Sequence, residues 1–242
     1  MAAAFHFRIF RFDPAVDLEP RYQAYEIELE PSLSVLEALL ALSEEQDPSL
    51  SFRCSCRGAA CGSCGMTING APDLACRRSL QSLGTDQITV EPLTKLEVAK
   101  DLVVEMGPFW EAYERVRPFL HPTGPAPDRE HHLTAKQAVA SQPYTDCVLC
   151  ACCYSACPVL GSDPAYLGPA ALSKLYRFVS DPRDGRGPAE LAAADGAGGA
   201  WGCHTVLRCV EACPKGIRPV DGIRGVRRRL LADRLKGLFR RP

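Results

Sequence analysis

Cys147-Val148-Leu149-Cys150-Ala151-Cys152-Cys153-Tyr154-Ser155-Ala156-Cys157-Pro158 is the stretch whose reading decides the second half of the chain. With Cys152 set aside it spells C-x2-C-x2-C-x3-C-P, the run that binds a cubane iron-sulfur cluster in bacterial-type ferredoxins. A second copy begins at Cys203 and ends Cys209-Val210-Glu211-Ala212-Cys213-Pro214, so positions 203, 206, 209 and 213 align with 147, 150, 153 and 157. The repeat fails at one place, where position 206 is Val. In two-cluster ferredoxins each cluster takes three ligands from its own run and the fourth from the other. One cluster then receives Cys147, Cys150, Cys153 and Cys213, a full set for 4Fe-4S. The other receives Cys157, Cys203 and Cys209, and three thiolates suit 3Fe-4S. A 4Fe-4S cluster with water or His204 on its fourth iron, an open site of the hydro-lyase kind, is the competing reading. Cys152 adjoins Cys153, and neighbouring residues cannot easily aim both sulfurs at one corner. It reads as a packed thiol, with replacement of 153 by 152 as the alternative.

Upstream, Cys56-Arg57-Gly58-Ala59-Ala60-Cys61-Gly62-Ser63-Cys64 followed by Cys76 gives C-x4-C-x2-C…C, the plant-type spacing for a 2Fe-2S cluster. Four thiolates, Cys56, Cys61, Cys64 and Cys76, must converge on two irons, while Gly58, Gly62 and Gly65 let the backbone curl close enough for N-H groups to reach the sulfurs. Zinc is the competing ion, but zinc ribbons pair two C-x2-C knuckles at longer separation and need no glycine-rich wrapping loop. Cys54, two residues before Cys56, reads as a spare thiol.

Around these clusters the first hundred residues read as mixed strand and helix. Phe5 to Phe12 and Tyr25 to Glu30 alternate, Pro31-Ser32 opens a helix through about Glu45, and Ile88 to Leu93 closes with a strand. Met66-Thr67-Ile68 leads into an Asn69-Gly70 turn and Leu74-Ala75-Cys76 returns. This is a small sheet crossed by one helix, with the cysteines mostly on an irregular loop. From about Leu102 the pattern becomes helical, over Phe109 to Phe119, Pro169 to Val179 and Pro219 to Leu238. His121 to Glu130 and Asp184 to Gly199 are loop-like by composition, with a turn of helix allowed at Glu190 to Ala194.

Thirteen cysteines in 242 residues would suggest disulfides in a secreted protein, but no signal peptide is visible and the first strand starts almost at once. The thiols are expected to be reduced and metal-bound, and the missing transit peptide favours a bacterial source. No run reaches the roughly 18 to 20 apolar residues of a membrane span; the best, Val35 to Leu42, contains Glu37. The net charge of -1 hides a basic tail, ten Lys or Arg against two Asp over residues 215 to 242. Such a tail is a solvated helix face or a surface for a partner subunit or anionic lipid, and nucleic acid fits it poorly. Three clusters without a GxGxxG loop, a flavin motif or an acid-base pair point to conduction of electrons.

Nearly the whole chain resembles the iron-sulfur subunit of succinate dehydrogenase and fumarate reductase, the respiratory complex II family. The matching stretches are residues 51 to 57, Cys61-Gly62-Ser63-Cys64, Asn69-Gly70, Leu74-Ala75-Cys76, the Cys147 to Pro158 run, Leu167-Gly168-Pro169-Ala170, Tyr176-Arg177-Phe178, Asp181 to Asp184, and Cys213-Pro214-Lys215-Gly216. The resemblance implies an α+β chain: a beta-grasp 2Fe-2S ferredoxin domain over 1-104, then an all-alpha helical ferredoxin domain with 4Fe-4S and 3Fe-4S clusters over 105-242. It implies a flavoprotein partner whose FAD oxidises succinate or reduces fumarate, one or two membrane-anchor subunits with or without haem b, and quinone at the membrane. Electrons are expected to run through 2Fe-2S, 4Fe-4S and 3Fe-4S in order, with no substrate chemistry on this chain. The implied location is peripheral, on the cytoplasmic face of a bacterial inner membrane, with the mitochondrial matrix as the alternative for a processed chain.

Pro158, His204 and Val206 match family positions near the quinone. His204 reads either as a hydrogen-bond or proton donor to quinone or as support for the cluster. Many ubiquinone-using members carry a Trp pair shortly after this Cys-Pro, whereas Val159-Leu160-Gly161-Ser162 stands here; with Trp201, this prefers menaquinone. Cys54 also departs from the family, where Arg is common. Succinate oxidation is the preferred direction and quinol:fumarate reduction the alternative. Two other readings compete: a soluble subunit passing electrons from a thiol donor to fumarate, whose relatives add a long cysteine-rich domain, and a free ferredoxin without a fixed partner.

Overall fold

The computed structural model describes residues 1-125 and 128-239. Residues 126 and 127 of the expected Pro-rich loop and residues 240-242 of the basic tail lie outside the described residues. The chain forms two compact units, one of residues 1-106 with 148-156 and one of residues 107-147 with 157 onward.

The first unit is built on a five-stranded sheet. Strand β1 (Ala3-Arg11) pairs antiparallel with β2 (Arg21-Leu29), from Ala3 opposite Leu29 to Arg11 opposite Arg21. On its other side β1 runs parallel to β5 (Gln87-Glu91), which pairs with β3 (Gly65-Ile68), itself paired with β4 (Ala71-Leu74). The order is β2-β1-β5-β3-β4. Alternation puts Phe5, Phe7 and Ile9 inward against Val35, Leu36, Leu39 and Leu42 of helix α1 (Val35-Glu45). Asn69 and Gly70 both take positive φ, 47° and 78°, as the expected two-residue hairpin turn requires.

Two boundaries differ from expectation. Helix α1 starts at Val35, because Ser34 caps it in a reciprocal box with Glu37 and leaves Pro31 and Ser32 outside. Strand β5 stops at Glu91, because Pro92 has no N-H to continue the ladder. The same alternation carries Arg11 inward, where it is 4% exposed. Its guanidinium bonds Asp101 (3.0 Å), Tyr25 (2.7 Å), Gln23 (3.1 Å), Ser49 (2.8 Å) and Asp47. Asp101 in turn accepts from the N-H groups of Phe12 and Ser51 (3.0 Å each), so a buried charge fastens three loops of the unit. A small hairpin of β6 (Val98-Lys100) and β7 (Val103-Val104) completes it, together with the one-turn helix α4 (Cys152-Ser155).

The second unit is helical: α2 (Gly107-Arg115), α3 (Ala135-Thr145), α5 (Pro158-Ser162), α6 (Gly168-Val179), α7 (Pro188-Asp195), α8 (Arg208-Glu211) and α9 (Pro219-Phe239). α2 ends before Phe119, because Arg117 turns to φ 48° ahead of Pro118. α6 lies on α9, and this contact selects glycine: a Cβ on Gly225 would stand 2.1 Å from the Tyr176 ring and one on Gly222 3.1 Å from the Ser173 backbone. α7 extends the turn of helix allowed at Glu190 to Ala194; Pro188 at its first turn and the N-H of Gly187 bonded to Glu190 (2.9 Å) start it, and alanines sustain it. Among the described residues no helix is long and apolar enough to cross a membrane.

Candidate functional site

Three of the four thiols expected at the first cluster lie on the loop from Cys56 to Cys64, and Cys76 follows β4. Arg57 and Ala59 take φ 55° and Gly62 φ 76°, and these left-handed steps turn successive N-H groups inward as an anion nest. Cys56 Sγ accepts from the N-H groups of Gly58 (3.4 Å), Ala60 (3.3 Å) and Cys61 (3.2 Å). Cys61 Sγ accepts from Cys56 and Ser63 (3.5 Å each), and Cys76 Sγ from Ala59 (3.3 Å). The Ser63 hydroxyl and the Cys56 and Ser63 N-H groups bring the Cys61 thiol down to about 6. Burial pushes Cys64, which contacts Cys76, up to about 12. A neutral thiol is a weak acceptor, so a ring of donors around these sulfurs fits thiolates bound to iron. Cys54 is half-buried against the core of this unit.

Two glycines of this loop sit hard against the next cysteine run. A Cβ on Gly62 would stand 2.4 Å from Val148 O, and one on Gly65 2.7 Å from Cys150 O. Within the first unit the loop expected to wrap 2Fe-2S therefore touches the backbone that carries Cys150. Cys152 is fully buried, and its hydrogen bond to Cys150 together with burial holds its thiol far above the ordinary value. Cys150 is lowered by that side-chain hydrogen bond and by the Cys152 N-H.

The two cysteine runs share one backbone conformation. Leu149 and Ala151 take φ 54° and 60°; Thr205 and Leu207, at the aligned positions, take 60° and 71°. Each pair leads into a one-turn helix, Cys152-Ser155 in one run and Arg208-Glu211 in the other. Non-glycine residues enter this region at a cost, so its recurrence at matching places marks a shared task. Cys147 and Cys213 belong to the second unit, Cys150 and Cys153 to the first.

Cys157, Cys203 and Cys209 are brought together in the second unit. They line one open pocket with Pro158, His204, Val206 and Tyr166. Burial, then the charges of Cys203 and Cys157, pushes the Cys209 thiol up to about 11. The Thr205 N-H reaches Cys203 Sγ at 3.4 Å, repeating the donor geometry of the first loop. His204 is exposed, and Val206, at the position of the absent cysteine, is 51% exposed. Arg227 of α9 ties down the segment by donating to Cys203 O (2.6 Å) and Ala200 O (2.8 Å). Tyr166 lines the pocket and Arg227 holds the segment that carries Cys203, and the spacing of cysteines reveals neither. Among the described residues no three His, Cys, Asp or Glu side chains lie close enough to share a single metal ion. One ion requires that closeness, and a multi-iron cluster does not.

Residues 6-111 match the family described as a 2Fe-2S iron-sulfur cluster binding domain, and residues 143-217 that of a 4Fe-4S dicluster domain. The chain is 40% identical over 237 residues to the fumarate reductase iron-sulfur subunit of Mycobacterium tuberculosis, covering 96% of this chain and 94% of that protein. It belongs to the iron-sulfur subunits of the fumarate reductase and succinate dehydrogenase family. The corresponding subunit of Haemophilus influenzae is 34% identical over 227 residues, 89% of this chain and 88% of the relative. A chain of the Mycobacterium smegmatis Sdh1 complex in the apo form superimposes with a TM-score of 0.83 at 27% identity, over 97% of this chain and 98% of that one. As an iron-sulfur subunit, the chain is the electron-transfer part of an oxidoreductase complex, with a sheet-based 2Fe-2S ferredoxin domain followed by a helical dicluster region.

Proposed function

We propose that this iron-sulfur subunit relays electrons between the FAD of a flavoprotein partner and a membrane quinone, with succinate oxidation as its working direction. Three clusters would supply the one-electron steps between a two-electron flavin and a two-electron quinone. Cys56, Cys61, Cys64 and Cys76 would hold 2Fe-2S; Cys147, Cys150, Cys153 and Cys213 would hold 4Fe-4S; Cys157, Cys203 and Cys209 would hold 3Fe-4S. The domains would divide at 104/105. Pro158, His204 and Val206 would face quinone, with menaquinone preferred, and one or two anchor subunits, with or without haem b, would hold the chain to the cytoplasmic face of a bacterial membrane.

The observation that carries this reading is the pocket of three thiols whose missing fourth corner is Val206. The backbone there repeats the conformation around Cys150, so a cysteine at 206 is geometrically allowed and its absence is a choice of side chain. Val206→Cys in the native complex tests the count: the three-iron electron paramagnetic resonance signal is expected to be lost and a second 4Fe-4S signal gained. Survival of the oxidised three-iron signal, or absence of any such signal from the wild type, would contradict the ligand assignment. Fumarate reduction is the second reading, favoured by the names of the curated relatives and by the lack of a Trp pair after Pro158.

A further inference from the structure

Tyr166 is 2% exposed and ranks among the largest fully buried side chains of the chain, yet it carries a hydroxyl. A phenol buried at that depth needs an acceptor, and leaving it unmatched costs about as much as a lost hydrogen bond. Its surroundings are built to place it. The Tyr166 N-H bonds Asp163 O (3.1 Å) and the Leu167 N-H bonds Gly198 O (2.7 Å). A Cβ on Gly198 would stand 2.3 Å from Ala165 O, and one on Gly202 3.0 Å from Tyr166 Cδ2. Gly202, just before Cys203, therefore packs against the ring, while Arg227 fixes the carbonyl of Cys203. The ring lines the pocket of Cys157, Cys203 and Cys209 and abuts Gly202, which places it beside the segment that carries the Cys203 sulfur.

We propose that the Tyr166 hydroxyl donates a hydrogen bond to the Cys203 sulfur and thereby raises the reduction potential of the cluster at Cys157, Cys203 and Cys209. This rests on the ligand assignment given above. Adding one electron makes the thiolates more negative, and a donor to sulfur stabilises the reduced form more than the oxidised form. Tyr166 is thus a positioning and tuning residue for the last centre before quinone. The Thr205 N-H acts on the same sulfur, but it is backbone and has no side-chain handle. Tyr166 is the side chain through which the potential can be altered.

The test is Tyr166→Phe in the native membrane-derived complex, which keeps the ring and removes only the hydroxyl. The clusters are titrated by potentiometry with electron paramagnetic resonance. At the wild-type midpoint of the three-iron centre, the ratio of reduced to oxidised cluster is expected to fall about threefold to tenfold, the change one hydrogen bond gives. The 2Fe-2S midpoint is expected to stay in place. An unchanged three-iron midpoint in a variant with a full signal overturns the proposal. Should the variant fold poorly, the wild type alone decides: an exchangeable deuteron strongly coupled to the three-iron centre, beyond that of one backbone N-H, supports it, and its absence overturns it. Lack of a three-iron signal in the wild type overturns the ligand assignment itself and this inference with it.

Discussion

At the scale of single residues, the strongest constraint outside the cysteines is Arg186 with Asp184. The guanidinium meets the carboxylate fork to fork, Nε to Oδ1 at 2.8 Å and Nη2 to Oδ2 at 3.0 Å, with both side chains 0% exposed. Arg186 also donates to the carbonyls of Phe119 (2.6 Å) and Val116 (3.3 Å), holding the chain that leaves α2. Arg186→Leu leaves a buried carboxylate unpaired and is expected to cost about 3-5 kcal/mol, read as a lower denaturation midpoint of the holo complex. Burial raises the Asp184 carboxyl, but the Arg186 side chain and the His121 and Arg186 N-H groups outweigh it and leave it below the ordinary value. The folded value lies below the unfolded one, so this stability is present above about pH 4 and is lost as the pH falls through the folded value. The stability gap between wild type and Asp184→Asn is therefore expected to narrow on acidification below about pH 4; a constant gap would show that ionisation is not what matters there. Cys152 shows what residue-level reading of sequence can and cannot give. Its adjacency to Cys153 marks it as a packed thiol, but its burial beside Cys150 and the left-handed Ala151 between them are not revealed by spacing.

At the scale of elements, the loop from Cys56 to Cys64 and the helix pair α6 and α9 show the same device, glycine where two backbones or a backbone and a ring must touch. Gly62 and Gly70 both take left-handed φ, 76° and 78°, but nothing lies within 4 Å of a Cβ on Gly70, whereas one on Gly62 meets Val148 O. Gly70→Ala is expected to cost only the left-handed conformation, about 1-2 kcal/mol. Gly62→Ala is expected to cost more and to lower 2Fe-2S content, measured by iron and sulfide analysis; equal effects would show that the close approach to Val148 is unimportant. The elements were legible where a period or a cap was strong. Alternation gave β1 and β2, and the Asn69-Gly70 pair gave the β3-β4 turn. Helix α3 went unread because only Tyr144 of it is buried, so it has no apolar stripe, although Thr134 and Gln137 form a capping box that spells it locally. Of helix α7 only the turn at Glu190 to Ala194 was legible, in an alanine- and glycine-rich composition that resembles a linker. Start points slipped where a cap sat deeper than the first Pro-Ser pair.

At the scale of the whole molecule, the two kinds of cluster domain were the most legible property, because cluster ligation imposes a cysteine spacing that chance seldom reproduces. The repeated left-handed pairs at 149/151 and 205/207 are the backbone counterpart of that repeat. The side chains packed around the Cys203 segment were not legible: Tyr166 lies far in sequence from Cys203, and Arg227 comes from another helix. The basic residues of α9 are partly spent internally, since Arg227 holds the Cys203 segment and Arg229 pairs with Asp233 (2.8 Å), while Arg224 and Arg228 are exposed. The central claim is that this chain carries electrons from a succinate-oxidising flavoprotein to quinone through three centres held as assigned. Its most direct test is electron paramagnetic resonance on the complex solubilised from membranes, recorded as isolated, after succinate and after dithionite. The account predicts an oxidised three-iron signal that succinate abolishes while a 2Fe-2S signal appears. Clusters that respond to dithionite but not to succinate would contradict it, leaving a conductor of electrons with a different donor.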